Sequence, residues 1–144
     1  MPRTPQTYAN HRHIVPAFHF VILGTLLLLL GASIYLLFVT QGNAQLMALM
    51  FLLLALATTG VALYCRSFAL RVQDRAIRAE ENLRYYMITG KRLSPAVSLR
   101  QLIALRFAAD EEFVALTQKA IDEKLQPIEI KKLIKNWRAD YHRA

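Results

Sequence analysis

Between Ile14 and Cys65 the chain runs for 52 residues without an Asp, Glu, Lys or Arg. Apart from Tyr35, Tyr64 and the terminal Cys65, His19 is the one titratable side chain within it. A bilayer core of about 30 Å is crossed by roughly 20 apolar helical residues, so the stretch is too long for one span and suited to two. The polar tripeptide Gln41-Gly42-Asn43 divides it into Phe18 to Thr40 and Ala44 to Cys65 and reads as a turn. A cleaved signal peptide is not expected, because Gly31-Ala32-Ser33 lies inside the apolar run and a second run follows at once. A buried hairpin in a soluble protein is not expected either, since the rest of the chain is too short to wrap two helices apolar on every side. The expected architecture is all-α. It comprises a cytoplasmic N-terminal segment (1–17), a two-helix transmembrane hairpin (18–65, turn at 41–43), a helical stalk continuing the second span (66–90) and a cytoplasmic helical module (98–144).

Charge orients this arrangement. Residues 1–13 carry two arginines and residues 66–97 carry seven basic groups against three acidic ones, whereas the turn between the spans is neutral. The positive-inside rule then places both termini in the cytoplasm. A single cysteine, Cys65, rules out an intrachain disulfide and a cysteine-based metal cage.

Within the hairpin, Gly24 and Gly31 recur at seven residues, as do Ala48, Ala55 and Ala62. Small residues on one face let helix backbones approach closely. Counting outward from Gly42 sets Gly31 opposite residue 53 and Gly24 opposite residue 60, so the expected use of these faces is packing of one span on the other. A homodimer seam is the alternative. Neither span carries a charge at depth, which argues against transport or proton relay. His11, His13 and His19 form a loose cluster that could ligate a metal, but its spacing matches no defined site, and interface anchoring with the neighbouring aromatics is the plainer reading.

No Pro or Gly occurs from Ala62 to Thr89, so the second span is expected to continue as one helix until Gly90 caps it. Ala69, Val72, Ala76, Ala79, Leu83 and Tyr86 alternate at threes and fours, a short heptad-like seam, small in most positions, suited to close antiparallel packing on another helix. Asp74 precedes Arg78 and Glu80 precedes Arg84 by four, the favourable direction for local ion pairs. Arg66, Arg71 and Arg75 are expected to snorkel to anionic headgroups.

In the module, Ser98 with Gln101 forms a capping box for a helix with Leu99, Leu102, Ile103 and Phe107 on its apolar face. Asp110 offers a second cap, with Glu111 and Glu112 at the positive end of the next helix and Lys119 and Lys124 at the far end. Pro127 opens a third helix whose apolar stripe is Ile130, Leu133, Ile134, Trp137 and Tyr141, with Lys131, Lys132, Lys135 and Arg138 on the other side. That stripe is expected to close the module's core; a basic amphipathic helix docking on a membrane or nucleic acid is the alternative. No Gly-rich phosphate loop, nucleophile beside a base or His-x-x-x-His pair occurs, so no catalytic residue, cofactor or small-molecule substrate is expected.

Four ordered motifs, "QTYANHRHIVPAFHF", "RSFALRVQDRAIRAEENLR", "LRQLIALRFAADEEFVAL" and "EIKKLIKNWRADYHR", resemble an uncharacterised family of small bacterial two-span membrane proteins catalogued as a domain of unknown function. The resemblance implies an inner-membrane location and two spans and carries over no catalytic residue. The expected function is a non-enzymatic structural or adaptor subunit that shows its module to a protein partner or a second copy. Arg106, Phe107, Asp110, Lys131, Lys135, Trp137 and Arg138 are the candidate contacts. A tethered surface for anionic lipid or nucleic acid is the alternative, nucleic acid being less favoured, and an accessory subunit of a membrane enzyme or channel ranks below both.

Overall fold

The computed structural model describes residues 5–11 and 14–140, so His13 and Tyr141 lie outside the described residues. All its named elements are helical: α1 (Leu23–Val39), preceded by a π-helical stretch Ala17–Ile22, then α2 (Asn43–Thr89), α3 (Leu99–Leu105), α4 (Asp110–Asp122) and α5 (Pro127–Leu133). The chain divides into two compact units, Ile14–Ala69 and the combination of the N-terminal segment with everything from Leu70 onward. The boundary on α2 falls close to the expected start of the stalk. The N-terminal segment, the end of α2 and the residues after it fall together in one of these units.

In the first unit, α1 ends where Thr40 turns extended and Gly42 adopts a φ of 61°, a left-handed conformation that glycine takes without steric cost. The amide of Gln45 closes the turn by donating to the Leu37 carbonyl at 3.3 Å. Ala17–Val39 and Asn43–Thr89 are both long and apolar enough to cross a membrane, with only 6% and 11% of their most apolar windows buried. The buried positions are Ser33 on α1 and Ala48 and Ala55 on α2. With half-buried Leu52, Thr59 and Ala62, α2 shows an inner face at alternating fours and threes, and on α1 the same spacing joins Leu23, Leu26, Leu30, Ser33 and Leu37. Gly31 does not belong to that face. It is exposed, and a Cβ built on Gly31 or Gly24 meets nothing within 4 Å. The small residue that α1 buries is Ser33, whose hydroxyl donates to the Leu29 carbonyl at 2.7 Å and so brings no unsatisfied polar group inside.

The second unit is built on a core of Leu102, Leu105, Phe107, Phe113, Ala120 and Ile130, all at most 1% exposed, edged by Tyr85, Leu93, Ile121, Leu125 and Trp137. Its local signals act as the sequence implies. Gly90 (φ 67°) stops α2, the Ser98–Gln101 capping box starts α3, and Pro127 starts α5, where Glu129 accepts from the Gln126 backbone at 2.6 Å. Gln101 also donates to the carbonyls of Ala120 and Leu125, both at 3.1 Å, tying the start of α3 to the end of α4. The third helix is shorter than its stripe. It ends at Leu133, and Trp137 lies on extended backbone paired antiparallel with Ala108. Three bonds take the place of further helical ones: Ala109 N–H to Asn136 O (3.0 Å), Arg138 N–H to Phe107 O (2.7 Å) and Asn136 N–H to a Glu112 oxygen (3.0 Å). The apolar positions still reach the core, with Ile130 and Ile134 buried and Trp137 packed 5.3 Å from the Phe107 ring.

Candidate functional site

The polar centre of the second unit is a cluster around the last turns of α2. Leu70, Gln73, Ile77, Glu81 and Arg84 share one helix face, and Ile77 and Glu81 on it are buried. Arg84 spends its guanidinium three ways: Nε on Asp110 Oδ1 (2.6 Å), Nη1 on Glu81 Oε2 (3.0 Å) and Nη2 on the Ala108 carbonyl (2.7 Å). Its flat face lies 4.3 Å above the Phe113 ring. The fork geometry and the cation–π contact together make Arg84 the joint between α2 and α4. Glu81 also reaches Arg138 at 3.6 Å, so one buried carboxylate holds a cation from α2 and one from the C-terminal segment. Burial pushes the Glu81 carboxyl above the ordinary 4.5, opposed by the hydrogen bond and charge of Arg84 and by Arg138.

This arrangement replaces the expected local pairs. Arg84 takes Glu81 and Asp110 rather than Glu80, and no ion pair joins Asp74 to Arg78 among the described residues. Asp110 is not the cap of α4. Ala109 holds that position without a side-chain bond, and Asp110, one residue on, turns to Arg84. Glu112 serves the backbone too, accepting from the amides of Lys135 (3.2 Å) and Asn136 (3.0 Å).

A second set of contacts fastens the N-terminal segment. Gln6 donates to the Asp140 carbonyl at 3.1 Å and accepts from the Asp140 amide at 2.8 Å, the reciprocal pairing of a short ladder. His11 stands against the edge of Phe107 and beside Trp137, with ring centroids 6.0 and 5.8 Å away. Its Nδ1 lies 2.7 Å from the Tyr8 carbonyl, which can only accept, so that nitrogen carries the proton and Nε2 receives Lys131 Nζ at 3.1 Å.

Between α2 and the C-terminal segment lies a cleft of about 500 Å3 lined by Gln73, Ala76, Glu80, Glu81, Arg84, Arg106, Arg138 and Asp140. Its charges face one another: Glu81 holds Arg84 and Arg138, and Asp140 lies 3.3 Å from Arg106. The arrangement is that of a charged seam fastening three segments.

The candidate residues separate accordingly. Phe107 is fully buried and Arg106 nearly so, which places both inside the fold rather than on a contact surface. Trp137 and Lys131 are half-covered by the N-terminal segment, while Lys135 and Arg138 are exposed and Asp110 is largely so. Arg66 stacks 4.9 Å above the Phe18 ring; Arg71 and Arg75 are exposed. Ala69, Val72, Ala76, Ala79, Leu83 and Tyr86, expected to form a packed seam, are all exposed. His11 belongs to one unit and His19 to the other, where its Nδ1 donates to the Val15 carbonyl at 2.9 Å, and no cluster of metal-ligand side chains occurs among the described residues. Glu81 and Gln6 escape a reading of the sequence. Glu81 offers a signal, its spacing of three from Arg84 and four from Ile77, whereas nothing near Gln6 marks it.

Fold and site together define an all-helical protein with two membrane-length apolar helices and a small helical unit fastened by buried ion pairs. The chain belongs to a family of unknown function (DUF6526), whose profile matches residues 1–144. No curated protein and no solved structure matches it.

Proposed function

We propose that the protein is a membrane-anchored, non-enzymatic adaptor of the bacterial inner membrane that holds its helical unit at the cytoplasmic face for a protein partner. The observation that carries this reading is the contrast in burial. The core helix of a soluble protein is mostly covered, yet Leu27, Leu28, Phe38 and Met50 point outward here with 63% or more of their surface exposed. A bilayer is the solvent that accommodates such helices. The reciprocal bonds between Gln6 and Asp140 support the topology, because a segment before the first apolar helix and one after the second can share a unit only on one side of a membrane. The basic flanks favour the cytoplasmic side. In the polar unit the buried charged side chains, Glu81 and Arg106, are engaged in ion pairs, which suits a display module better than a reaction site.

Two measurements test this. The protein should resist alkaline extraction from membranes, and the exposed Cys65 should react with an impermeant thiol reagent only when the cytoplasmic face is open. Extraction by alkali would overturn the membrane reading. With anchoring established, Lys132→Glu with Lys135→Glu, both exposed and outside the core, should abolish a crosslinked partner while leaving the fold intact. The same two lysines, with Arg71, favour a second reading, contact with anionic lipid. That reading requires vesicle binding that falls steeply with salt.

A further inference from the structure

The face of α2 turned away from the helical unit carries a self-complementary pattern. Val72, Ala76, Ala79, Leu83 and Tyr86 recur at spacings of four, three, four and three. All five are exposed, Val72 to 67%, Leu83 to 60% and Tyr86 to 55%. With an advance of about 100° per residue, Val72, Ala79 and Tyr86 lie on the side away from Ile77, Glu81 and Arg84, the residues that hold the module, while Ala76 and Leu83 flank that side, Ala76 at the border of the cleft toward the C-terminal segment. The helix is thus fixed by one face and offers an apolar stripe on the other.

We infer that this stripe pairs with the same stripe of a second copy, forming a short parallel coiled coil. The flanking charges select this occupant. With Ala76 and Leu83 at a positions and Val72, Ala79 and Tyr86 at d, Arg75 falls at g and Glu80 at e. In a parallel pair in register, each g residue meets the e residue five places on in the other chain, so Arg75 faces Glu80 twice by symmetry. Both side chains are exposed, and no ion pair among the described residues engages either. An antiparallel pair sets e against e and g against g and loses this match. The inference rests on the membrane-anchored reading, which holds both copies in one orientation and raises their effective concentration enough for a short seam to suffice.

The test uses the full chain carrying Cys65→Ser, reconstituted in lipid vesicles. Under mild oxidation, Leu83→Cys should crosslink to a dimer, whereas Arg78→Cys, off the stripe, should remain monomeric. On the Leu83→Cys background, Glu80→Arg should lower dimer yield on the order of five-fold, and adding Arg75→Glu should restore it. A monomeric Leu83→Cys protein, equal crosslinking at both positions, or a charge swap that fails to rescue overturns the inference; so does a Leu83→Cys adduct that forms only with another protein in native membranes. Alkaline washing of the same vesicles separates the two ideas. Protein that washes off defeats the membrane reading, while protein that stays yet does not crosslink defeats the coiled coil alone.

Discussion

The two halves of α2 carry one kind of stripe and use it differently. From Ala48 to Ala62 the heptad-spaced small residues form the inner face, with Ala48 and Ala55 buried. From Val72 to Tyr86 a similar stripe is exposed, and the chain packs its module on another face, through Ile77, Glu81 and Arg84. The difference lies in what is available to cover each stripe. In the hairpin a three-residue turn, Thr40 to Gly42, returns a second apolar helix at once, and small residues let it approach. Beyond Leu70 the local chain supplies a compact domain with its own core, which attaches through a buried guanidinium and carboxylate rather than through a seam. Periodicity thus marks a face able to pack, and the neighbouring chain decides whether it does.

Arg84→Ala breaks the comparison hardest. It removes the joint to Asp110, the bond to the Ala108 carbonyl and the cover over Phe113, and it leaves Glu81 buried with only Arg138 nearby. A loss of about 2–4 kcal/mol is expected, since removing one partner of a buried pair strands the other. Hydrogen exchange on the full chain should show α3 and α4 losing protection while the hairpin keeps its own.

A matched pair of substitutions probes the stripes directly. Ala55→Leu forces a larger side chain into a fully buried position and should cost about 1–3 kcal/mol of hairpin stability in detergent unfolding. Ala79→Leu, on the exposed stripe, should leave the stability of the single chain within about 0.5 kcal/mol and raise the dimer yield. Equal costs at both positions would mean that the stalk stripe is already covered.

The acid at the joint gives a smaller effect with a definite sign. Burial raises the Glu81 carboxyl above 4.5 against the pull of Arg84 and Arg138. From 4.5 up to that raised value the native state holds more protons than the unfolded chain, so stability is fullest below 4.5 and falls as pH rises through the window. Glu81→Gln imitates the protonated side chain and lacks this slope. Its stability relative to the parent should therefore climb with pH over that window, by less than the loss in Arg84→Ala. A parallel pair of pH profiles would remove burial as the dominant influence on Glu81.

What the residues disclose in advance follows the range of the interaction. The turn at Gly42, the stop at Gly90, the Ser98 box and the start at Pro127 are decided within a few residues, and each is legible. The length without charge from Ile14 to Cys65 likewise specifies two long apolar helices. The face that α2 buries at Glu81, the extended backbone at Trp137 and the docking of Gln6 depend on residues 24 to 134 positions away. At Trp137 the helical spacing is real, yet Glu112 and the strand-like bonds from Ala109 and Phe107 outbid the next turn. At Arg84 the favourable spacing to Glu80 loses to a buried acid one residue further along, because an exposed pair is worth only some 0.2–0.5 kcal/mol and an enclosed one shapes the fold.

Gly31 yields the smallest effect and sharpens the hairpin side of the comparison. Read as a close-approach residue, it should resist any side chain; in the structure it faces outward and a Cβ there has no neighbour within 4 Å. Glycine inside a helix costs about 0.5–1 kcal/mol relative to alanine, so Gly31→Ala should stabilise the hairpin by about that amount. Ser33→Leu, two residues on but buried, should destabilise it. If Gly31→Ala instead lowers dimer yield in vesicles without weakening the single chain, the outward glycine face is itself a contact between copies. The stalk coil would then continue an interface that begins within the apolar helices.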